Sequence, residues 1–329
     1  MKKAELPIGE PIYATFNYQL CSSLICANPS IKNWYLNNTV NLMCGKGFLY
    51  GRTTPDLRVE KTSWIDNPCF DKSEYSMEFS KGYINPIIRN LIDNGYYVYF
   101  VDVDDYYIDG KSWFKERHFM HDGIICGYDQ ERKTYSIYAY DSNRMLSRFE
   151  TPQSSFNKGR RSAIRNGMKG HICGMRAVSD EIKLEPEIII GKIHKYLDSS
   201  LRKFPYKAKE DAEGIVVHDY IALYISKLIE GAVPYERTDT RIMRTLWEQK
   251  KVMYERLVKT EEALSLDSRL SSEYEKVVPD ADRIRMLYAS HCIKRRDSSL
   301  PFIRKKLIDI KDTEKRILSE FIRKAERVI

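Results

Sequence analysis

The sequence has little that would anchor the chain in a membrane or direct it to secretion. No apolar run approaches the roughly 18 residues that a membrane-spanning helix needs. The N-terminal stretch MKKAELPIGEPIY has lysines without an apolar segment after them, so we expect no secretory signal peptide. Its 43% hydrophobic and 30% charged residues are ordinary for a soluble protein, and 329 residues suffice for one or two domains with a full core.

The sequence also lacks the motifs of zinc, nucleotide and RNA-binding proteins. The seven cysteines are scattered, without CxxC or Cys/His zinc spacing, which indicates free thiols in a reducing, cytoplasmic setting. No Gly-rich phosphate loop, zinc finger or RNP-like motif is present, so we expect no metal, no cofactor and no nucleic-acid partner. The net charge of +8 fits an acidic protein partner, and equally an ordinary solvated surface.

Two parts of the chain differ in their hydrophobic patterning. Up to residue 181, short β-rich runs alternate with helical patches and with Gly, Pro and Asn, which is an α+β pattern. From residue 182, apolar residues recur at spacings of three and four, as in amphipathic helices. The sequence therefore predicts an α+β domain over 1–181 and a helical domain over 182–329 packed on it.

The segment HFMHDGIICGYDQERKTYSIYAYD (118–141) predicts a hairpin that places a histidine opposite an aspartate. Folding about the polar turn DQERK puts His121 opposite Asp141, with Cβ atoms roughly 5 Å apart. His118 is a competing base, but three residues away it points to the other strand face, which favours a position in a loop or at a rim. Asp102, Asp104 and Asp105 indicate a solvated strand end rather than a metal site.

A His–carboxylate pair of this kind most often orients a nucleophile. Cys21 has the best local context, because it follows FNYQ and opens an apolar helical run that stops at Asn28-Pro29. A thiol in the first helical turn has a lowered pKa, and the unpaired N–H groups there provide part of an oxyanion hole. The amide of Gln19 or Asn17 could complete that hole. Cys26 lies deeper in the same helix and is predicted to be a core residue, Cys173 and Cys292 are predicted to be buried, and Cys126 points to the other strand face from His121.

The order of a helix-borne Cys, a strand His and an Asp on the next strand is the plan of the papain-like cysteine proteases. The stretches GYYVYFVDVDDYYIDG, HDGIICGYD and YSIYAYD resemble the N-terminal domain of the butirosin biosynthesis protein H family. More distantly they resemble the bacteriocin-processing peptidases of ABC transporters. Residues 213–228 and 240–257 resemble the helical C-terminal part of the butirosin-type proteins. The resemblance implies a papain-like fold, with an N-terminal helix packed on an antiparallel sheet, and a helical C-terminal subdomain.

The resemblance implies a cysteine-dependent acyltransferase that forms an amide, as part of natural-product or antibiotic biosynthesis. An acyl group would move from the phosphopantetheine thioester of an acyl or peptidyl carrier protein to a small amine. Carried over to this chain, Cys21 is the nucleophile, His121 the base and then the acid, and Asp141 the orienting group. Leu20 before the cysteine and Asp122 after the histidine depart from the family pattern.

Two other classes of function remain open. A peptidase or amidase would use the same triad with water as the acceptor. A non-catalytic binding protein could keep the fold without the reaction, although the helix-start context of Cys21 argues against it. The sequence does not specify the acyl group, the amine or the number of subunits.

Overall fold

The chain forms two compact units. The computed structural model describes residues 3–12, 24, 27–45, 47–50, 54–60, 67–76, 82–143, 145–168, 171–178, 180–199, 211–235, 238–267 and 269–329. One unit comprises Met1–Ile31 and Trp64–Glu181, and the other comprises Lys32–Ser63 and Ile182–Ile329. The described chain is α+β with a mostly antiparallel sheet, as the sequence predicts. Residues 32–63, however, cluster with the second unit, whereas the sequence pattern placed them in the first.

The elements are numbered along the described chain. The strands are β1 (Lys3–Glu5), β2 (Leu42–Gly45), β3 (Leu57–Val59), β4 (Phe70–Ser76), β5 (Tyr97–Asp104), β6 (Met120–Asp129), β7 (Thr134–Tyr140), β8 (Leu146–Pro152), β9 (His171–Ala177) and β10 (Asp211–Glu213). The helices are α1 (Pro29–Asn38), α2 (Ile84–Asp93), α3 (Gln153–Arg165), α4 (Pro186–Leu197), α5 (Val217–Ile229), α6 (Arg241–Leu264), α7 (Leu270–Tyr274), α8 (Val277–Lys294) and α9 (Leu300–Ala325). Within the described residues, no helix combines the length and apolar character that crossing a membrane requires.

The first unit is built on an antiparallel sheet with the strand order β4-β9-β5-β6-β7-β8, and β1 pairs with β6. Aromatic and β-branched residues dominate its central strands, which suits a pleated and buried surface. Helices α2 and α3 contribute to the core of this unit, where Ile88 and Phe156 are buried with Phe100, Ile125 and Ile137 of the sheet.

Helix α3 approaches the end of β5 unusually closely. A Cβ atom at Gly159 would lie 2.9 Å from the carbonyl oxygen of Asp104 and 2.9 Å from Cγ1 of Val103. A larger residue would therefore push the helix away from the strand. This contact brings the next turn of α3, with Ser162, to the carboxyl end of β5.

The hairpin of β6 and β7 has nearly the predicted register. At its tip Asp129 pairs with Thr134, so the predicted pairing of Asp129 with Lys133 is wrong by one residue. A β-bulge between Ile125 and Gly127 absorbs that residue. Beyond the bulge Ile124 pairs with Tyr138, which is the pairing expected from the symmetrical fold about the turn.

Helix α6 holds residues 32–41 in the second unit. The guanidinium of Arg256 is fully buried and donates to the carbonyls of Leu36, at 2.6 Å, and Thr39, at 3.0 Å. The amide of Gln249 donates to the carbonyl of Val40 at 2.9 Å. These donors satisfy carbonyls at and beyond the end of α1 that the helix itself leaves unpaired. These hydrogen bonds explain why this stretch belongs to the helical unit. The local sequence of 32–63 does not reveal that its hydrogen-bond donors lie more than 200 residues away.

A buried polar cluster ties the helices of the second unit together. The carboxylate of Glu314 on α9 lies 2.7 Å from the ammonium of Lys250 on α6 and accepts from the hydroxyls of Tyr196 and Tyr274. His218 on α5 places Nε2 3.6 Å from the same carboxylate, and Glu314, Lys250 and His218 are fully buried. Burial raises the pKa of Glu314, but Lys250 and His218 outweigh it and the pKa is lowered. Burial, reinforced by Lys250, lowers the pKa of His218 to about 4.

We expect the stability of the second unit to fall as His218 is forced to ionise. Since its folded pKa is about 4 and its unfolded value 6.5, the unfolded chain binds the extra proton between these pH values. Stability present above pH 6.5 is thus lost as the pH falls to 4, by roughly 3 kcal/mol at about 1.4 kcal/mol per pH unit. Urea unfolding at several pH values measures this loss.

The matched variant is His218→Asn, which retains a donor for the carbonyl of Ile215 but does not titrate. Its absolute stability is lower, because the smaller side chain leaves a cavity. The difference in stability between wild type and variant should shrink by about 3 kcal/mol from pH 7 to pH 4. If the stabilities of wild type and variant change in parallel with pH, then His218 does not contribute to the pH dependence of stability.

Candidate acid–base site

Two consecutive aspartates at the carboxyl end of β5 each hold one histidine. Asp104 ends β5, and Asp105 begins the short 3-10 turn Asp105–Tyr107. The segment that leads into β6 returns beside them, and the backbone N–H of Asp105 donates to the carbonyl of Phe119 at 2.9 Å. This return places His118 next to Asp104 and His121 next to Asp105. The interpretation of these aspartates as a solvated strand end is wrong, since both are buried.

The Asp104 carboxylate is fully buried and has four donors. One oxygen accepts from the backbone N–H groups of Tyr106 and Phe119, each at 3.2 Å. The other accepts from the Ser162 hydroxyl at 2.6 Å and lies 2.7 Å from Nδ1 of His118. Burial raises the pKa of Asp104, but these hydrogen bonds outweigh it and hold the pKa below its ordinary value. The carboxylate therefore stays ionised at neutral pH.

The Asp105 carboxylate is shared between a lysine and a histidine. Oδ1 lies 3.3 Å from Nζ of Lys111, and Oδ2 lies 3.2 Å from Nδ1 of His121. The side chains of Asp105 and Lys111 are only 3% and 1% exposed, so this ion pair is screened from water. Burial lowers the pKa of Lys111, and the charges of Asp105 and Asp122 partly counter that effect.

Nδ1 of His121 faces both partners of that ion pair, because Nζ of Lys111 is also 3.3 Å away. We assign the ring proton to Nδ1, since an ionised carboxylate is the stronger hydrogen-bond acceptor and Lys111 can donate to Asp105 and to the carbonyl of Asp122. Nε2 then carries the lone pair. It lies 3.7 Å from Oδ1 of Asp122, and the imidazole is 29% exposed.

Aromatic rings surround His121. The ring of Tyr140 lies parallel to the imidazole with centroids 6.4 Å apart, and the ring of Phe119 meets it edge-on at 5.3 Å. The Tyr99 hydroxyl donates to Oδ2 of Asp122 at 2.9 Å, which orients that carboxylate beside Nε2. The imidazole is thus fixed from several sides while its side chain stays partly exposed.

The Asp141 carboxylate has its own partners in the turn between β7 and β8. Oδ1 accepts from the backbone N–H groups of Asn143 and Met145, at 2.8 and 2.9 Å, and Oδ2 accepts from the Ser147 hydroxyl at 2.8 Å. Burial raises the pKa of Asp141, but these hydrogen bonds together outweigh it and hold the pKa below its ordinary value. The structure brings His121 together with Asp105 and Asp122 rather than with Asp141, whose orienting role stays a prediction.

Cys21, Cys26, Asn17 and Gln19 lie outside the described residues, so their predicted roles stay predictions. Of the described cysteines, Cys292 is partly exposed and the remainder are buried; these are Cys44, Cys69, Cys126 and Cys173. Burial raises the pKa of the Cys126 thiol. In the described residues no group of three or more His, Cys, Asp or Glu side chains is arranged to hold a metal ion.

Sequence reasoning missed Asp104, Asp105 and Lys111 as members of the site. The available signal was the acidic pair that ends the β-rich run YYVYFVDVDD, with the histidines of HFMH following it in sequence. No protein-family model matches the chain, and no curated protein matches its sequence. The geometry of the two His–Asp pairs is therefore the main structural ground for a functional argument.

We expect Lys111 and Asp105 to be strongly coupled in stability. Lys111→Met leaves a buried carboxylate without its cation and should cost about 3–5 kcal/mol, as should Asp105→Asn for the converse reason. The double variant removes both charges and should lose less than the sum of the single variants. Urea unfolding of all four proteins measures the coupling, and additive losses would show that the two groups do not interact.

Proposed function

We propose that the protein is a cysteine-dependent acyltransferase that forms an amide. It would move an acyl group from a phosphopantetheine thioester, carried by a carrier protein, to an amine, in natural-product biosynthesis. The observation that supports this most directly is the His121 imidazole, whose Nδ1 lies 3.2 Å from the buried Asp105 carboxylate and whose side chain is 29% exposed. A carboxylate that fixes the tautomer and leaves Nε2 as a base is what acyl transfer to and from a thiol requires.

The described cysteines narrow the choice of nucleophile. Cys69, Cys126 and Cys173 belong to the same unit as His121 and are buried, which suits core packing and not attack on a substrate. Cys292 belongs to the other unit, and burial raises the pKa of its thiol. Cys21, at the predicted start of a helix, remains our proposed nucleophile. An N-terminal helix on this antiparallel sheet would complete a papain-like fold.

In the first half-reaction, Nε2 of His121 takes the proton of the Cys21 thiol, and the thiolate attacks the thioester carbonyl. The backbone N–H of Cys21 and the amide of Gln19 or Asn17 would stabilise the tetrahedral oxyanion. The pantetheine sulfur leaves and takes the proton from His121, so the imidazole is neutral again. A new thioester replaces the old one, and this exchange is nearly neutral in free energy.

In the second half-reaction, an amine attacks the acyl-Cys21 thioester. His121 moves a proton from the attacking nitrogen to the departing Cys21 sulfur, which leaves the amide and the free thiol. Aminolysis of a thioester runs downhill, so no ATP is needed. Water must be kept from the acyl-enzyme, since hydrolysis competes. Carrier proteins are typically acidic, and the net charge of +8 favours their approach.

The first test is the intact mass of the protein after incubation with an acyl-pantetheine thioester. Wild type should gain the mass of one acyl group, Cys21→Ala should gain none, and Cys26→Ala should behave like wild type. An adduct that is lost to water as fast with an amine present as without it would identify a hydrolase. If wild type is not labelled by any of several thioesters and Cys21 also resists iodoacetamide, then Cys21 is not activated and the proposal fails.

A second test separates Asp105 from Asp141 as the orienting carboxylate. Asp105→Asn replaces the carboxylate at Nδ1 of His121 by a neutral amide, a weaker acceptor, and should slow formation of the acyl-enzyme by roughly 10²-fold or more. Asp141→Asn alters only the hydrogen bonds of a turn, and should change the rate by less than about threefold. Stopped acylation reactions analysed by mass give both rates. If Asp141→Asn slows acylation more than Asp105→Asn does, then Asp141 is the orienting carboxylate.

A further inference from the structure

The geometry points to a second acid–base pair, Asp104 with His118, which removes the extra proton of a protonated acceptor amine during transfer. This inference rests on the proposed acyltransferase function. The same pair could instead be a purely structural cap, because Asp104 accepts from the backbone N–H groups of Tyr106 and Phe119. Three features of His118 favour an acid–base role.

The first feature is the fixed tautomer of His118. Nδ1 lies 2.7 Å from Oδ2 of Asp104, which is shorter than the 3.2 Å between Nδ1 of His121 and Oδ2 of Asp105. Because the Asp104 carboxylate is fully buried and ionised, it holds the ring proton on Nδ1. Nε2 then carries the lone pair.

The second feature is the exposure of the imidazole. Its side chain is 57% exposed, whereas its carboxylate partner is 0% exposed. One face stacks on the ring of Tyr106, with centroids 4.3 Å apart and an angle of 24° between the planes, and Tyr107 lies at 6.0 Å. Asp104, Tyr106 and Tyr107 are the titratable groups that contact it in the described part of the chain. Nε2 can therefore exchange protons with both a bound amine and water.

The third feature is its proximity to His121. The two histidines are three residues apart, so their Cα atoms are at most about 10 Å apart. Their carboxylate partners are adjacent in sequence. Both imidazoles are thus held by consecutive residues at one end of β5, and our proposal places the acceptor amine within reach of both.

The proton balance of the reaction leaves one proton that a second base can take. An alkylamine with a pKa near 10.4 is about 10³-fold more abundant as the ammonium ion at pH 7. The reaction of R–NH3⁺ with the acyl-enzyme yields the amide, the free Cys21 thiol and one proton in solution. The nitrogen loses two protons in total. One moves through His121 to the cysteine sulfur, and we assign the other to Nε2 of His118, which passes it to water.

The test replaces His118 by asparagine, whose amide N–H can take the place of Nδ1–H at Asp104 but which cannot titrate. His118→Asn should accumulate the acyl-enzyme on Cys21 and transfer it to an alkylamine at pH 7 roughly 10²-fold more slowly than wild type. The loss should shrink as the pH approaches the pKa of the amine. It should also shrink with hydroxylamine, which is uncharged at neutral pH.

The control is His194→Gln, which alters another exposed His–carboxylate pair, at Glu326 of the second unit, and should transfer at the wild-type rate. If His118→Asn transfers the acyl group at the wild-type rate, then His118 is not a second base, and the acyltransferase proposal is unaffected. An equal loss with hydroxylamine and with alkylamines would also overturn it, because deprotonation of the ammonium would then not be the affected step. Failure of wild type to form any acyl-enzyme would overturn both.

Discussion

The burial of two adjacent negative charges at the end of β5 is the constraint on which the rest of the site depends. A buried carboxylate persists in its ionised form only when donors or cations surround it. Asp104 recruits Ser162, two backbone N–H groups and His118, and Asp105 recruits Lys111 and His121. Satisfying these charges fixes the 3-10 turn, the return of the chain into β6 and the close approach of α3. The positions of both imidazoles follow from that requirement.

The two units use buried carboxylates in different ways. In the helical unit, Glu314, Lys250 and His218 are all fully enclosed, so no substrate can reach them and the cluster can only stabilise the packing of helices. In the first unit the carboxylates are equally buried, but His118 and His121 are 57% and 29% exposed. An exposed imidazole whose carboxylate partner is buried is held in place and can still exchange protons. This contrast in exposure supports catalysis in one unit and structure in the other.

The sequence was sufficient for the parts of the fold that depend on local patterns. Period-two and helical spacings identified the α+β part, the helical part and the hairpin, and the symmetrical register was right beyond the bulge. It was insufficient where a partner comes from a distant element. Ser162 reaches Asp104 across 58 residues, and Arg256 reaches the end of α1 across 220. The prediction that His121 lies opposite Asp141 also did not foresee the turn at Asp141. Backbone N–H groups of that turn donate to the carboxylate that the strand register had assigned to His121.

The charge balance around His121 suits a base that must ionise and recover in each half-reaction. With neutral imidazole, Asp105, Asp122 and Lys111 sum to one negative charge, so protonation of Nε2 brings the group to neutrality. Lys111 lies 3.3 Å from both Oδ1 of Asp105 and Nδ1 of His121, so these three groups form one cluster. Asp122 lies 3.7 Å from Nε2, beyond a good hydrogen bond. In the proposed reaction, a proton on Nε2 would therefore be available to the departing sulfur, which a tighter carboxylate would hinder.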